Sequence, residues 1–352
     1  MMTTVLESLN AALRRALSED PSVLLLGEDL LDPYGGAFKV TRGLSQAFPA
    51  RVLTTPISEA GFVGLATGMA LRGLRPVVEI MFGDFVTLAA DQIINHAAKF
   101  RWMYSGGKPP NERVSVPLVI RTPMGGRRGY GPTHSQTLEK HFLGAPGLRV
   151  LAPSAFGSPG DLLYDAILHS QDPVLFVENK LLYLLPLVAL DMPGEFEIRA
   201  VPPVSGGEAR LDVPPLAYQI NLRGAPPPSL TLATYGYMAE LARQAALKLA
   251  YEHEVFAEII VLQQLAPFDL APVLASAGRT RRLVALEEGT LSLGWGAEVI
   301  AQAAQKLGSQ LQSVQRLGAL DLPVPSSGIL EAAALPNIKN IIETCHNTIQ
   351  KR

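Results

Sequence analysis

Residues 54–92 read TTPISEAGFVGLATGMALRGLRPVVEIMFGDFVTLAADQ. The stretch joins a helix-like segment to a strand-like one across a short turn, and that pairing decides the fold. Glu59 opens the helical part and is followed by Ala60, Gly61, Gly64, Ala66, Gly68 and Ala70. Small residues at this spacing let a helix lie close to another backbone or to a ligand. The run from Pro76 to Phe82 reads as a strand and ends in Gly83-Asp84-Phe85. A carboxylate at the start of a tightly packed helix loses water, which raises its pKa and suits it to proton transfer. The same residue could equally be a surface charge that the helix dipole favours. The local pattern leaves both readings open.

Outward from this stretch, strand-like and helical runs alternate. SVLLLGED (22–29), RPVVEIMF (75–82), VPLVIR (116–121), LRVLAP (148–153) and PVLFVE (173–178) read as strands, and 60–72, 86–101, 135–143 and 159–169 as helices. Such alternation predicts an α/β fold with a parallel sheet flanked by helices. Ligands of such sheets bind beyond the carboxyl ends of the strands, where Glu28, Phe82 to Phe85 and the loop after Arg121 fall. An amphipathic first helix is expected from the spacing of Val5, Leu6, Leu9, Leu13, Ala16 and Leu17. Between about Pro186 and Ser229 the alternation fails, and PPVSGG, DVPP and GAPPP mark a proline-rich connection with room for one strand in AYQINL. Strands at 229–236, 254–262 and 281–288 and helices at 237–251, 269–277 and 295–306 then form a second, smaller α/β unit. The expected domains are 1–186, a connection at 187–228, and 229–352.

Composition narrows the function classes. With 352 residues there is room for two cores, since single cores rarely grow past about 250–300 residues. The net charge is −2 and basic residues are scattered, so nucleic acid is not an expected partner. The short cluster RTRR (279–282) reads as a solvated turn. Mean hydropathy is +0.20, apolar for a soluble protein, yet no run approaches the ~18 apolar residues of a membrane span. Its richest candidate, Leu181 to Leu190, contains Tyr183 and Pro186. The excess apolar surface is expected to be buried between subunits. Cys345 is the only cysteine and the N-terminus lacks a signal-peptide pattern, which together suggest a cytoplasmic protein.

TPISEAGF, GLRPVVEIMFGDF, DQIINHAAK and THSQ, in this order and spacing, resemble the β subunit of the thiamine-diphosphate-dependent component of 2-oxo acid dehydrogenase complexes. This family serves the pyruvate, branched-chain 2-oxo acid and acetoin complexes and is related to transketolase. The resemblance is dense from about Val23 to Tyr183 and thinner to the C-terminus. It implies a pyrimidine-binding domain followed by a transketolase-like C-terminal domain. It also implies that Glu59 holds the cofactor's aminopyrimidine ring and activates it, and that Phe85 packs on that ring. Glu28, Ile57, Ser58 and Met81 would line the cofactor, with the contacts of Ile57 and Ser58 made through backbone. Phe82, Gly83, Asp84, Phe85 and His134 would meet the 2-oxo acid. His134, within RTPMGGRRGYGPTHSQ (121–136), sits where a helix is expected to begin, and near-neutral proton transfer suits a histidine there. By resemblance it assists substrate positioning and acyl transfer to a lipoyl arm. Arg127 and Arg128 could meet a substrate carboxylate, a partner or only solvent. His96, His141, His169, His253 and His346 read as structural.

The family's diphosphate and Mg²⁺ motif, Gly-Asp-Gly followed at a distance by asparagine, is absent; Gly83-Asp84 runs on into Phe85. Mg²⁺ and the diphosphate would then be held by an α subunit in an α2β2 heterotetramer, with no metal site on this chain. A lipoyl-bearing dihydrolipoyl acyltransferase is the further partner implied, with the C-terminal domain helping to dock it. A family potassium site would involve Leu118 and residues 166–172, but AILHSQDP is a residue longer than the common form. EEGTLSLGWGAEV (287–299) resembles the family's segment before a C-terminal helix, whereas VLQQLAPFD departs from the usual strand end. Two other readings stay open: a split transketolase-like two-carbon transferase, and a non-catalytic scaffold subunit.

Overall fold

The computed structural model describes residues 3–109, 112–191, 194–202 and 213–350. Most of PPVSGG and Asp212 of DVPP lie outside them. The chain divides into two compact units. Met1–Gly125, His141–Pro153 and Ser158–Leu187 form the first; Gly126–Lys140, Ser154–Gly157 and Val188–Arg352 form the second.

In the first unit β1 (Val23–Gly27), β2 (Val52–Thr54), β3 (Arg75–Glu79), β4 (Val119–Met124), β5 (Arg149–Leu151) and β6 (Val174–Asn179) lie side by side in the order β5-β6-β4-β3-β1-β2. Every pairing among them is parallel. Near-continuous apolar runs such as VLLLG and VLFVE suit strands that are buried on both faces. Helices α1 (Val5–Glu19), α2 (Leu44–Ala47), α3 (Glu59–Leu71), α4 (Ala98–Tyr104) and α5 (Pro159–His169) cover the strands. The expected amphipathic first helix is α1, with Val5, Leu9, Ala12, Leu13, Ala16 and Leu17 buried. A reciprocal box between Thr4 and Glu7 satisfies its first amides. It packs on α5 so closely that a Cβ on Gly160 would stand 2.4 Å from the Ser8 carbonyl oxygen.

Two expected helices are corrected. The 86–101 segment is a 3-10 turn at Gly83–Ala89, π-type turns at Gln92–Ala97 and then the short α4. Residues 135–143 hold only a 3-10 turn at Glu139–His141. Glu139 is fully buried there and accepts the Tyr235 hydroxyl, a tertiary bond that an amphipathic surface helix would not make. The short β2 and α2 had no signal in the pattern of alternation.

The second unit contains β7 (Phe196–Val201), β8 (Ala217–Leu222), β9 (Leu230–Thr234), β10 (Ala257–Leu262), β11 (Gln264–Ala266), β12 (Arg282–Thr290) and β13 (Ser313–Ala319). Its helices are α6 (Met238–His253), α7 (Ala271–Thr280), α8 (Trp295–Leu307), α9 (Gly328–Ala334) and α10 (Ile338–Gln350). The sheet order is β13-β12-β9-β10-β8-β7. Strands β13, β12, β9 and β10 are parallel, while β8 and β7 turn back antiparallel. The 187–228 stretch thus carries two strands, β7 and β8, where the sequence pattern left room for one. RTRR is not a solvated turn throughout: Arg279 pairs with the buried Glu258 at 2.6 Å, and Arg282 belongs to β12. Cys345 is buried in α10, and burial pushes its thiol up to about 12. No helix among the described residues is long and apolar enough to cross a membrane.

Across β3, β4 and β6, level with the carboxyl end of β3, the first unit buries a charge cluster. Arg121 is 1% exposed; its Nη1 donates to Glu79 at 2.6 Å, and its Nε and Nη2 donate to Glu178 at 2.7 and 2.8 Å. The Tyr183 hydroxyl adds a bond to Glu178 at 2.6 Å. Burial works against the guanidinium's charge, but Glu178 and Glu79 more than offset it and the net shift is upward. Burial pushes Glu79 up, opposed by Arg121 and reinforced by Glu178. Removing one partner leaves an uncompensated buried charge. Arg121→Met should therefore lower unfolding stability by about 3–5 kcal/mol in chemical denaturation. A loss below about 1 kcal/mol would show that the cluster carries no such strain on removal.

Candidate active site

The carboxyl end of β1 delivers Glu28, and the N-terminus of α3 delivers Glu59. Both are 5% exposed. Glu59 is the first residue of α3, so the positive end of the helix dipole faces its carboxylate. Ile57 and Ser58 precede it in exposed positions, with Ile57 83% exposed. Glu28 Oε1 is buried without a hydrogen-bond partner among the described residues. Its pKa is raised to about 7, first by burial, then by the charge of Glu59 and that of Asp29. Two buried carboxylates that sense one another's charge, one with an unused acceptor, form a site suited to a ring nitrogen or an amino group.

Beyond β3 the chain presents Met81 and Phe82 half-buried, Gly83 and Asp84 buried, and Phe85 half-buried. A side chain at Gly83 is excluded, because its Cβ would meet Met124 Cγ at 2.2 Å. Phe82 and Phe85 meet edge to face at 6.1 Å, and Phe38 meets Phe82 at 5.4 Å and Tyr183 at 5.6 Å. Lys180 Nζ lies 5.3 Å from the Phe82 ring centroid. The 83–89 turn packs against α3, so the aromatic wall and the helix that starts with Glu59 share one packed layer. Phe38, Lys180 and Tyr183 escaped the sequence reading. The only signal was a basic residue directly after a buried strand, in VLFVENK, which looks like any solvated strand end.

His134 belongs to the second unit. It is half-buried in a turn rather than at a helix start; its amide donates to the Gly131 carbonyl at 3.3 Å, and its Nδ1 lies 2.8 Å from the Thr133 hydroxyl. Arg127, considered for a substrate or solvent role, is instead engaged inside the unit. Its Nη1 donates to Glu288 at 2.5 Å and its Nη2 to the Pro336 carbonyl at 2.5 Å. Arg128 is exposed. No group of three or more His, Cys, Asp or Glu among the described residues is arranged to hold a metal ion.

The chain is similar to known proteins over most of its length. Residues 2–185 match the family model described as transketolase, pyrimidine binding domain, and residues 223–341 that of transketolase, C-terminal domain. Pyruvate dehydrogenase E1 component subunit beta-2, mitochondrial, of Oryza sativa subsp. japonica is 39% identical over 96% of this chain and 84% of its own. Pyruvate dehydrogenase E1 component subunit beta of Leifsonia xyli subsp. xyli is 38% identical, over 98% and 94%. Acetoin:2,6-dichlorophenolindophenol oxidoreductase subunit beta of Cupriavidus necator is 34% identical, over 97% and 96%. A solved structure titled split gene transketolase, inactive beta4 tetramer, superposes with a TM-score of 0.73 over the whole of both chains; at 19% identity it shows the fold alone.

The raised pKa of Glu28 has a consequence for stability. A carboxyl whose folded pKa lies above its unfolded value of 4.5 favours the folded state while protonated. That contribution is complete below pH 4.5 and is lost as the pH rises through about 7. Glu28→Gln, which stays neutral, should match the native chain in stability below pH 4.5 and exceed it by roughly 1–3 kcal/mol above pH 7. Denaturation at several pH values measures the difference. A gap that is constant with pH, or of opposite sign, contradicts the assignment.

Proposed function

The chain belongs to the β subunits of the thiamine-diphosphate-dependent 2-oxo acid dehydrogenases, and on that premise we propose that it provides the aminopyrimidine wall of a site completed by an α subunit. The observation that carries the reading is the pair of buried carboxyls, Glu59 and Glu28, with an unused Glu28 oxygen, in the unit that also bears the Phe82–Phe85 wall. These residues fit a flat, basic, partly apolar ring. When bound, thiamine diphosphate supplies the nucleophilic carbon and the electron sink for decarboxylation. Glu59 would hold the proton at the aminopyrimidine ring, and Phe85 would pack against that ring. Ile57 and Ser58 contribute backbone, while Glu28 and Met81 line the pocket. Phe82, Gly83 and Asp84 would meet the 2-oxo acid, either pyruvate or a branched-chain relative. His134 then assists transfer of the acyl group to lipoyllysine of a dihydrolipoyl acyltransferase.

Mg²⁺ and the diphosphate are assigned to the α subunit of an α2β2 assembly, because this chain has no Gly-Asp-Gly motif. Potassium is left out of the proposal. In the 166–172 segment the carbonyls of Ile167 and Ser170 already accept Arg75 Nη1, at 2.9 and 3.3 Å, and a guanidinium there competes with a cation. The proposed domain division is 1–186, a connection at 187–228, and 229–352; the C-terminal family match begins at residue 223, within that connection. The proposed setting is the cytoplasm, in keeping with a single buried cysteine.

Glu59→Ala, assayed with the α partner, should lower 2-oxo acid decarboxylation by about a hundredfold or more while leaving assembly intact. Activity within about tenfold of the native complex would remove Glu59 from the role.

A further inference from the structure

The loop that leads to His134 does not hold itself in place. Gly126, Gly129 and Gly131 give it little local preference, and Arg127, Gly129 and Gly131 adopt φ of 69°, 67° and 77°. For the non-glycine Arg127 this conformation is costly unless neighbours enforce it. The enforcement comes from two buried carboxylates of the second unit. Glu288, in β12 and 4% exposed, accepts the Gly126 amide at 2.8 Å and the Arg127 guanidinium at 2.5 Å. Glu331, in the first turn of α9 and 3% exposed, accepts the Arg127 amide on Oε1 at 2.7 Å and the Gly129 amide on Oε2 at 3.0 Å. The loop is also pressed against its surroundings. A Cβ on Gly126 would meet Leu335 Cδ1 at 2.5 Å, and one on Gly131 would meet Ser326 Oγ at 2.6 Å. Gly131 then accepts the amide of His134.

We propose that Glu331 is a positioning residue for the reaction: by receiving the loop amides of Arg127 and Gly129 on its two oxygens it fixes the 126–131 backbone and, through Gly131, the place of His134. The proposal rests on the functional reading of His134. Both oxygens of Glu331 are used as acceptors, and charge-assisted bonds of this kind are short and directional. An amide side chain cannot replace them, because its nitrogen donates and would face another N–H. Glu331→Gln therefore frees one loop amide without emptying the site.

The test uses the assembled α2β2 enzyme with free lipoyl domain as acceptor. Hydrogen–deuterium exchange of the 126–134 peptide reads the loop directly. Steady-state rates of Glu331→Gln, His134→Ala and the double variant read its effect on the reaction. We expect exchange in the loop to quicken about tenfold in Glu331→Gln, and kcat for lipoyl acylation to fall about tenfold with KM little changed. In the His134→Ala background the same change should cost less than about twofold more, because the two residues act as a unit. Unchanged exchange, or losses that add in the double variant, overturn the proposal. Full activity of His134→Ala alone would instead overturn the functional reading of that histidine, while the exchange measurement still decides whether Glu331 holds the loop. If Glu331→Gln fails to assemble, Glu331→Asp keeps both acceptor oxygens on a shorter stem and is held to the same two criteria.

Discussion

The buried Arg121 guanidinium is the constraint on which the first unit's site depends. Glu79 closes β3, Arg121 lies beside it within β4, and Glu178 stands one residue before the end of β6, so three neighbouring parallel strands bring three charges into one buried cluster. By bonding Glu79 on one flank and Glu178 on the other, Arg121 ties β3, β4 and β6 together at the edge where ligands of parallel sheets bind. The bond from Tyr183 to Glu178 extends the cluster into the aromatic wall, because Tyr183 also meets Phe38 and Phe38 meets Phe82. The chain leaving β3 is thereby aimed, and Gly83 keeps it close to Met124. A fixed edge of this kind holds Phe82 and Phe85 in set positions.

Much of this was legible in the sequence, and the rest was hidden for identifiable reasons. Apolar runs at Val23–Gly27, Arg75–Glu79 and Val174–Asn179 mark strands buried on both faces, and nothing competes with that signal. Helix α3 could be read from its small residues, and α1 from its apolar spacing. The 86–101 segment has helical spacing, yet it is interrupted by 3-10 and π-type turns that no periodicity foretells. Strand β7, FEIRAV, has Phe196 and Ile198 facing the core, but it is short and borders proline-rich sequence. Residues 135–143 read as a helix on local propensity, which carries no trace of the tertiary bond from Tyr235 to Glu139.

The candidate site divides in the same way. Glu59 stands in a dense motif and could be singled out; its burial and that of Glu28 are properties of the fold. Arg121, Glu79 and Glu178 read as ordinary charges in or beside strands, and only the three-dimensional pairing identifies them as a buried set. Arg127 is the converse case. Its place in a glycine-rich loop suggested a ligand contact or solvent, whereas Glu288 and the Pro336 carbonyl occupy it. Each unit thus fixes its own candidate residues from within, the first with an arginine cluster behind its aromatic wall, the second with carboxylates beneath a glycine loop.

In the proposed function the chain supplies one wall of a shared site: carboxyls and aromatics suited to a pyrimidine ring, and no motif for a diphosphate. The most direct test is calorimetric titration of thiamine diphosphate with Mg²⁺ into this chain alone, into its α partner alone, and into the mixture. Saturable binding should appear only in the mixture, with a cofactor for each αβ pair. Saturable binding to this chain by itself, or none in the mixture, would contradict the account.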